Sequence, residues 1–154
     1  CRLTLIGIGP SAAMSAAAAG NDRISITGEV AEVAAALEAV TVMAVPLTAG
    51  GGTKIKVLES MALGKPVIMT EVGAEGLGVC SGRDAIVSDL SRFENDLIAL
   101  LADPERCAAI GRAGRALVEQ RFSLAALHRQ IEDLVAAALA SGRSIRSTAG
   151  DQAA

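Results

Sequence analysis

A chain of 154 residues, 51% hydrophobic and 20% charged, is long enough to bury one core. Fourteen Lys and Arg against seventeen Asp and Glu leave a net charge of -3, which removes the basic field that holds nucleic acid or an anionic membrane non-specifically. Two Phe with no Trp or Tyr also remove stacking platforms for bases and sugars, so a ligand must be held by backbone, charge and aliphatic contacts.

In chain order, the strand pattern Arg2 to Ile8 ends in a turn at Gly7 to Pro10, and Ser11 opens an Ala-rich helix that Gly20 stops. Arg23 to Thr27 reads as the next strand, Glu32 to Ala39 as a helix, and Thr41 to Val45 as a strand ending at Pro46. Leu47 to Gly52 is a glycine-rich loop, after which Thr53 is placed to cap a helix running to Leu63, closed by Gly64 and Lys65. Pro66 to Thr70 and Ala85 to Val87 are strands on either side of the Gly-rich loop Val72 to Gly82. Three helices follow, with Ser91, Asp103 with Pro104, and Ser123 as their N-terminal signals. The apolar stripe Leu127, Ile131, Leu134, Val135 and Ala138 is expected in the core. From Gly142 the periodicity ends, so one domain over 1–141 and a disordered tail over 142–154 are expected.

Strands of about five residues alternating with helices imply an open doubly wound parallel sheet, Rossmann-like, of the α/β class. Ligands bind such sheets at the carboxyl ends of the strands, which nominates Gly7 to Pro10, Gly28 to Val30, Pro46 to Thr53 and Glu71 to Gly78. Cys1, Cys80 and Cys107 form no C-x-x-C pair, and no apolar run reaches the roughly 18 to 20 residues of a membrane span, so a reduced, cytoplasmic protein without a zinc site or disulfide framework is expected. Cys1 stands where an initiator Met would, directly before a strand, which reads as a piece of a longer chain.

The segment Pro46 to Ile68, PLTAGGGTKIKVLESMALGKPVI, carries the most chemistry. A glycine loop opening into a helix turns backbone N–H groups outward and lets a phosphate approach without a Cβ in its way. Lys54 and Lys56 add cations to a helix start that disfavours them unless an anion is present, and Glu59 stands far enough along to accept two sugar hydroxyls. The plain alternative is an unliganded connection with a surface Lys56–Glu59 pair.

This stretch resembles the signature of the retaining glycosyltransferases of family four, which have the GT-B fold. There a G-x-G loop leads into a helix reading roughly K-x-L-E-A-M-A-x-G-K-P-V, and Gly50 to Val67 reads GGGTKIKVLESMALGKPV. LTLIGIGP at Leu3 to Pro10, ISITGEV at Ile24 to Val30, VGAEGL at Val72 to Leu77 and RALVEQRFS at Arg115 to Ser123 are similar to further family elements in the same order.

The resemblance implies a C-terminal, nucleotide-sugar-binding half of a metal-independent retaining enzyme. Glu59 would bind the ribose hydroxyls, the amides of Gly51, Gly52 and Thr53 the diphosphate with Lys54 and Lys56 beside them, and Gly28 to Val30 would line the base. The first Glu of the family's E-x7-E falls at Gly51, a departure that leaves the sugar contacts unassigned. No cofactor or metal is implied. The acceptor, a sugar, lipid or other small molecule, would be held by an N-terminal domain, together with the acid or base. Peripheral membrane association of the whole enzyme is compatible with such a role, and the isolated chain is expected not to turn over.

Other readings fit less well. Gly7-x-Gly9-x-x-Ala12 is similar to a dinucleotide fingerprint, but Pro10 follows the second glycine and Gly28 stands where the ribose-binding acid should. Gly52-Thr53-Lys54 inverts the P-loop order. His128 has no partner at ligand spacing, and Glu75 reads equally as a cleft residue or a surface carboxylate. A non-catalytic nucleotide-binding or interaction module of the same fold is the alternative of a different class.

Overall fold

The structure, a computed structural model, describes residues 1–52 and 54–150, with side chains described as far as Ala140. The chain divides into two compact units, Cys1–Val40 and Thr41–Ala154.

In the first unit, β1 (Leu3–Ile6) and β2 (Ile24–Gly28) pair in parallel, joined by α1 (Ala12–Ala19), and α2 (Val33–Glu38) follows. Ser11 caps α1 by accepting the Met14 amide at 3.2 Å, and Gly20 ends it, as its position predicts. The register slips between Leu5 and Ile6, so that Ile6 lies opposite Gly28. The Gly7 amide then donates to the Gly28 carbonyl at 3.1 Å, which brings the two loops at the strands' carboxyl ends together.

The second unit holds a parallel sheet in the order β3 (Met43–Val45), β4 (Val67–Met69), β5 (Ile86–Val87). The helices are α3 (Ile55–Ala62), α4 (Glu71–Ala74), α5 (Leu90–Leu101), α6 (Pro104–Arg121) and α7 (Leu124–Gly150). Every residue of β4 is buried, as a strand covered on both faces requires. Its alternation divides the core: Val67 and Met69 pack with Val57, Met61, Leu117 and Val118, whereas Ile68 packs with Ile86, Phe93, Leu100 and Ile110. The doubly wound parallel architecture is thus present, in two sheets rather than the single one expected.

Other boundaries differ for local reasons. α5 starts at Leu90 with Asp89 at the cap, ahead of Ser91. The Val72 to Gly82 loop contains the short helix α4, because Thr70 accepts the Gly73 amide at 3.3 Å and nucleates a turn. The expected core stripe of α7 is exposed: Leu127, Ile131, Leu134 and Val135 are about half exposed or more, whereas Ala126, among the described side chains, is buried. The backbone of α7 is helical to Gly150, beyond the boundary at 141, and 151–154 lie outside the described residues.

α3 ends in a left-handed turn that only glycine adopts freely. Gly64 has φ of 70°, its amide donates to the Met61 carbonyl at 2.9 Å, and the Lys65 amide donates to Ser60 at 3.0 Å. α6 lies directly against this turn, where a Cβ on Gly111 would collide with the Gly64 carbonyl and one on Gly114 would come within 2.8 Å of the Asp84 carbonyl. Replacing a helical glycine by alanine ordinarily stabilises by about 1 kcal/mol. Here Gly111→Ala should reverse the sign and destabilise by about 1 to 3 kcal/mol, the usual cost of overpacking, read from a urea midpoint. A variant as stable as the parent would refute the close approach.

Asp84 is a buried carboxylate that accepts the Cys80 amide at 2.9 Å and two bonds from the Arg83 guanidinium, at 2.8 and 2.9 Å. The Arg83 hydrogen bond holds its carboxyl below the usual carboxylate range, with burial opposing and the Cys80 amide assisting. A lowered folded value means that the stabilisation is complete above the unfolded pKa of about 3.9 and is lost as pH falls through the lower folded value. Asp84→Asn should therefore lose stability at neutral pH and flatten the acid limb below about pH 4, measured as denaturant midpoints against pH.

Candidate nucleotide-sugar site

The loop that follows β3 begins at Pro46 and is fastened at its base. The Thr70 hydroxyl, at the end of β4, donates to the Leu47 carbonyl at 2.6 Å while accepting the Gly73 amide. Thr70 thus joins the glycine loop to the start of α4. Sequence reasoning missed this role, although a threonine directly after a buried strand and three residues before a glycine is a cap signal.

Within the loop Gly50 has φ of 139° and Gly52 of 84°, conformations that side chains rarely adopt, and a Cβ on Gly50, Gly51 or Gly52 would meet nothing within 4 Å. The loop is therefore shaped by its glycines and surrounded by open space. Thr53 lies outside the described residues. The cap of α3 is Lys54 rather than the expected Thr53, and it makes no side-chain capping bond.

Lys54 differs from its expected placement. Its ammonium donates to the Gly50 carbonyl at 2.9 Å, so it closes back on the loop. Lys56, the second residue of α3, is exposed and makes no side-chain hydrogen bond or ion pair among the described residues, so the alternative pair with Glu59 is not formed.

The helix pattern explains the placement of Lys56 and Glu59. Val57, Ser60 and Met61 form the buried stripe of α3, with the Ser60 hydroxyl satisfied by the Lys56 carbonyl at 2.8 Å. The intervening positions, Ile55, Lys56 and Glu59, share the exposed face. The glycine loop, an ammonium and a carboxylate, the last two without side-chain partners among the described residues, are thus gathered at the carboxyl end of the parallel sheet.

Gly28 and Val30 belong to the other unit, where both are half-buried at the end of β2. Glu75 lines an open groove of about 520 Å³ with Glu71, Gly78, Ser81 and Val87. Behind it the Arg121 guanidinium donates to the carbonyls of Leu77 and Gly78 at 3.1 and 3.3 Å and lies 5.7 Å from the Phe122 ring centre, a strut that sequence reasoning also missed. His128 is exposed. Among the described residues no group of three or more His, Cys, Asp or Glu converges, and no helix is long and apolar enough to cross a membrane.

Residues 1–103 match the family described as Glycosyl transferases group 1. The chain belongs to this family. Over 95 residues, 56% of this chain and 25% of the relative, this group 1 domain is 39% identical to the GDP-mannose-dependent monoacylated alpha-(1-6)-phosphatidylinositol monomannoside mannosyltransferase of Corynebacterium glutamicum. Its fold is similar to that of Anabaena HepE, crystallised with UDP and glucose, with a TM-score of 0.72 and 21% identity over 88% of this chain and 40% of the other. The C-terminal domain of the group 1 protein LpcC from Francisella tularensis aligns with a TM-score of 0.63 and 20% identity, over 73% of this chain and 60% of the other. Sucrose-phosphate synthase of Thermosynechococcus elongatus aligns with a TM-score of 0.72 and 24% identity, over 91% and 39%. The fold is that of the C-terminal domain of GT-B glycosyltransferases. The chain spans about a quarter of the curated relative it matches and 39 to 60% of these solved chains.

Proposed function

We propose that this chain is the donor-binding part of a retaining glycosyltransferase that uses a nucleoside-diphosphate sugar. The observation that carries the reading is the glycine loop of positive φ at the sheet's carboxyl end, opening onto a helix whose exposed face holds an unpaired Lys56 and Glu59. Outward amides and a helix N-terminus favour a phosphate, and an unpaired carboxylate favours vicinal hydroxyls. Family membership supports the same reading, as do the GDP-mannose dependence in the relative's name and the UDP-glucose with which HepE was crystallised.

In this mechanism the amides of Gly51, Gly52 and Thr53 meet the diphosphate, and Glu59 accepts the ribose hydroxyls. As the glycosidic bond to phosphate breaks, negative charge grows on the leaving diphosphate. Fixed amide dipoles and a nearby cation stabilise that charge without reorganisation, the electrostatic contribution that commonly dominates such catalysis. Acceptor and acid or base groups come from another domain of the complete enzyme. Its activity requires that domain, because positioning of the acceptor alone supplies about 7 to 11 kcal/mol of barrier lowering.

The higher identity to the mannosyltransferase directs a donor panel to GDP-mannose first, with UDP- and ADP-sugars beside it. In the full-length protein, Glu59→Ala should weaken donor binding about tenfold to several hundredfold, the loss of one or two hydrogen bonds to a charged group. Calorimetry showing unchanged affinity in a folded variant would overturn the ribose assignment. Gly51 has no positive φ and open space at its Cβ, so Gly51→Ala is a purely steric probe. It should leave the melting temperature unchanged and reduce donor affinity; retained affinity would return the loop to an unliganded connection.

A further inference from the structure

The two lysines of the GGGTKIK segment are in unlike situations. Lys54 is half-buried and its ammonium is spent on the Gly50 carbonyl, whereas Lys56 is exposed and free of side-chain partners among the described residues. The Lys54 bond ties the helix start back to Gly50, beside Gly51 and Gly52, whose amides the proposed function assigns to the diphosphate.

We propose that Lys54 is a positioning residue, a latch that holds the glycine loop in its anion-receiving form, and that Lys56 alone supplies the cation that meets the diphosphate. The proposal rests on the donor-binding reading above. Three consecutive glycines lose more backbone freedom on ordering than any other tripeptide, and no packing restrains them here, since the space around each Cβ position is empty. Among the described residues, side-chain bonds restrain the loop at its two ends: Thr70 to Leu47 at the start and Lys54 to Gly50 at the helix junction. A cation at a helix N-terminus is disfavoured by the macrodipole, and a charge-assisted bond to a carbonyl compensates for that placement. The same bond occupies the Gly50 oxygen, which would otherwise present a partial negative charge within the loop that receives the anion.

The experiment uses the full-length protein with glycine-selective ¹⁵N labelling. Backbone order parameters of Gly51 and Gly52 are measured without ligand, and GDP and UDP binding is measured by calorimetry, in the parent and in Lys54→Met, Lys54→Arg and Lys56→Met. The latch requires rigid glycines in the parent, with order parameters near about 0.85 that fall below about 0.6 in Lys54→Met. Nucleotide affinity should fall about tenfold in that variant at an unchanged melting temperature, the order set by one charge-assisted hydrogen bond. Lys54→Arg, which can still donate to the carbonyl, should restore both. Lys56→Met should lower affinity with the glycines still rigid.

Lys54→Met with rigid glycines and weakened binding would make Lys54 a direct ligand and overturn the proposal. So would mobile glycines with unchanged affinity. A parent protein that binds no nucleoside diphosphate would instead refute the donor-binding reading, and the relaxation data would still decide whether the latch exists.

Discussion

The close approach of Gly111 in α6 to the Gly64 carbonyl fixes the carboxyl end of α3, the helix that carries Lys56 and Glu59. The helix can come this close to the end of α3 only because Gly111 has no Cβ, and the two glycines answer different demands. Gly64 supplies the left-handed turn that stops α3, and Gly111 supplies the absence of a Cβ. With its carboxyl end held there, Val57 and Met61 pack with Val67, Met69, Leu117 and Val118 and commit one face of α3 to the core. Lys56 and Glu59 point away from the core because the opposite face is fully committed. Their orientation is thus a by-product of packing on the other face of the same helix.

A second constraint acts at the other end of the same helix. Parallel strands deliver their connections to one edge of the sheet, and both loops at this edge would be loose if left to themselves. Thr70 couples them with a single hydroxyl that donates to one loop and accepts from the other, while buried at the end of β4. Lys54 then closes the glycine segment onto itself. Order at the site is built from hydrogen bonds to carbonyls, which suits a chain that has almost no aromatic surface with which to clamp a ligand.

Much of this was legible in the sequence wherever a local pattern has one physical meaning. Alternating and continuous apolar runs marked the strands; Ser11, Asp103 with Pro104, and Gly64 marked helix ends because caps are short-range chemistry. The Lys56 to Glu59 spacing placed both on one helical face. What escaped depends on distant partners. The apolar stripe of α7 has the periodicity of a core helix, yet periodicity says nothing of whether a partner covers it, and Leu134 remains 70% exposed. Thr70 and Arg121 act across 23 and 43 or 44 residues of chain, beyond any local pattern. Lys54 was read by its charge, whereas its bond is set by the path of three glycines that a residue list does not reveal.

Two crowded glycines in this fold differ in how inheritance could repair them. At Gly78 the obstacle to a larger residue is the tip of the Arg121 side chain, which can swing aside or be shortened by a second substitution, leaving only the cost of the left-handed backbone. At Gly111 the obstacle is a main-chain oxygen that every amino acid possesses. No exchange at position 64 removes it. A suppressor of a Gly111 lesion would have to move a helix instead of trimming a side chain, so a substitution there is harder to compensate than one at Gly78.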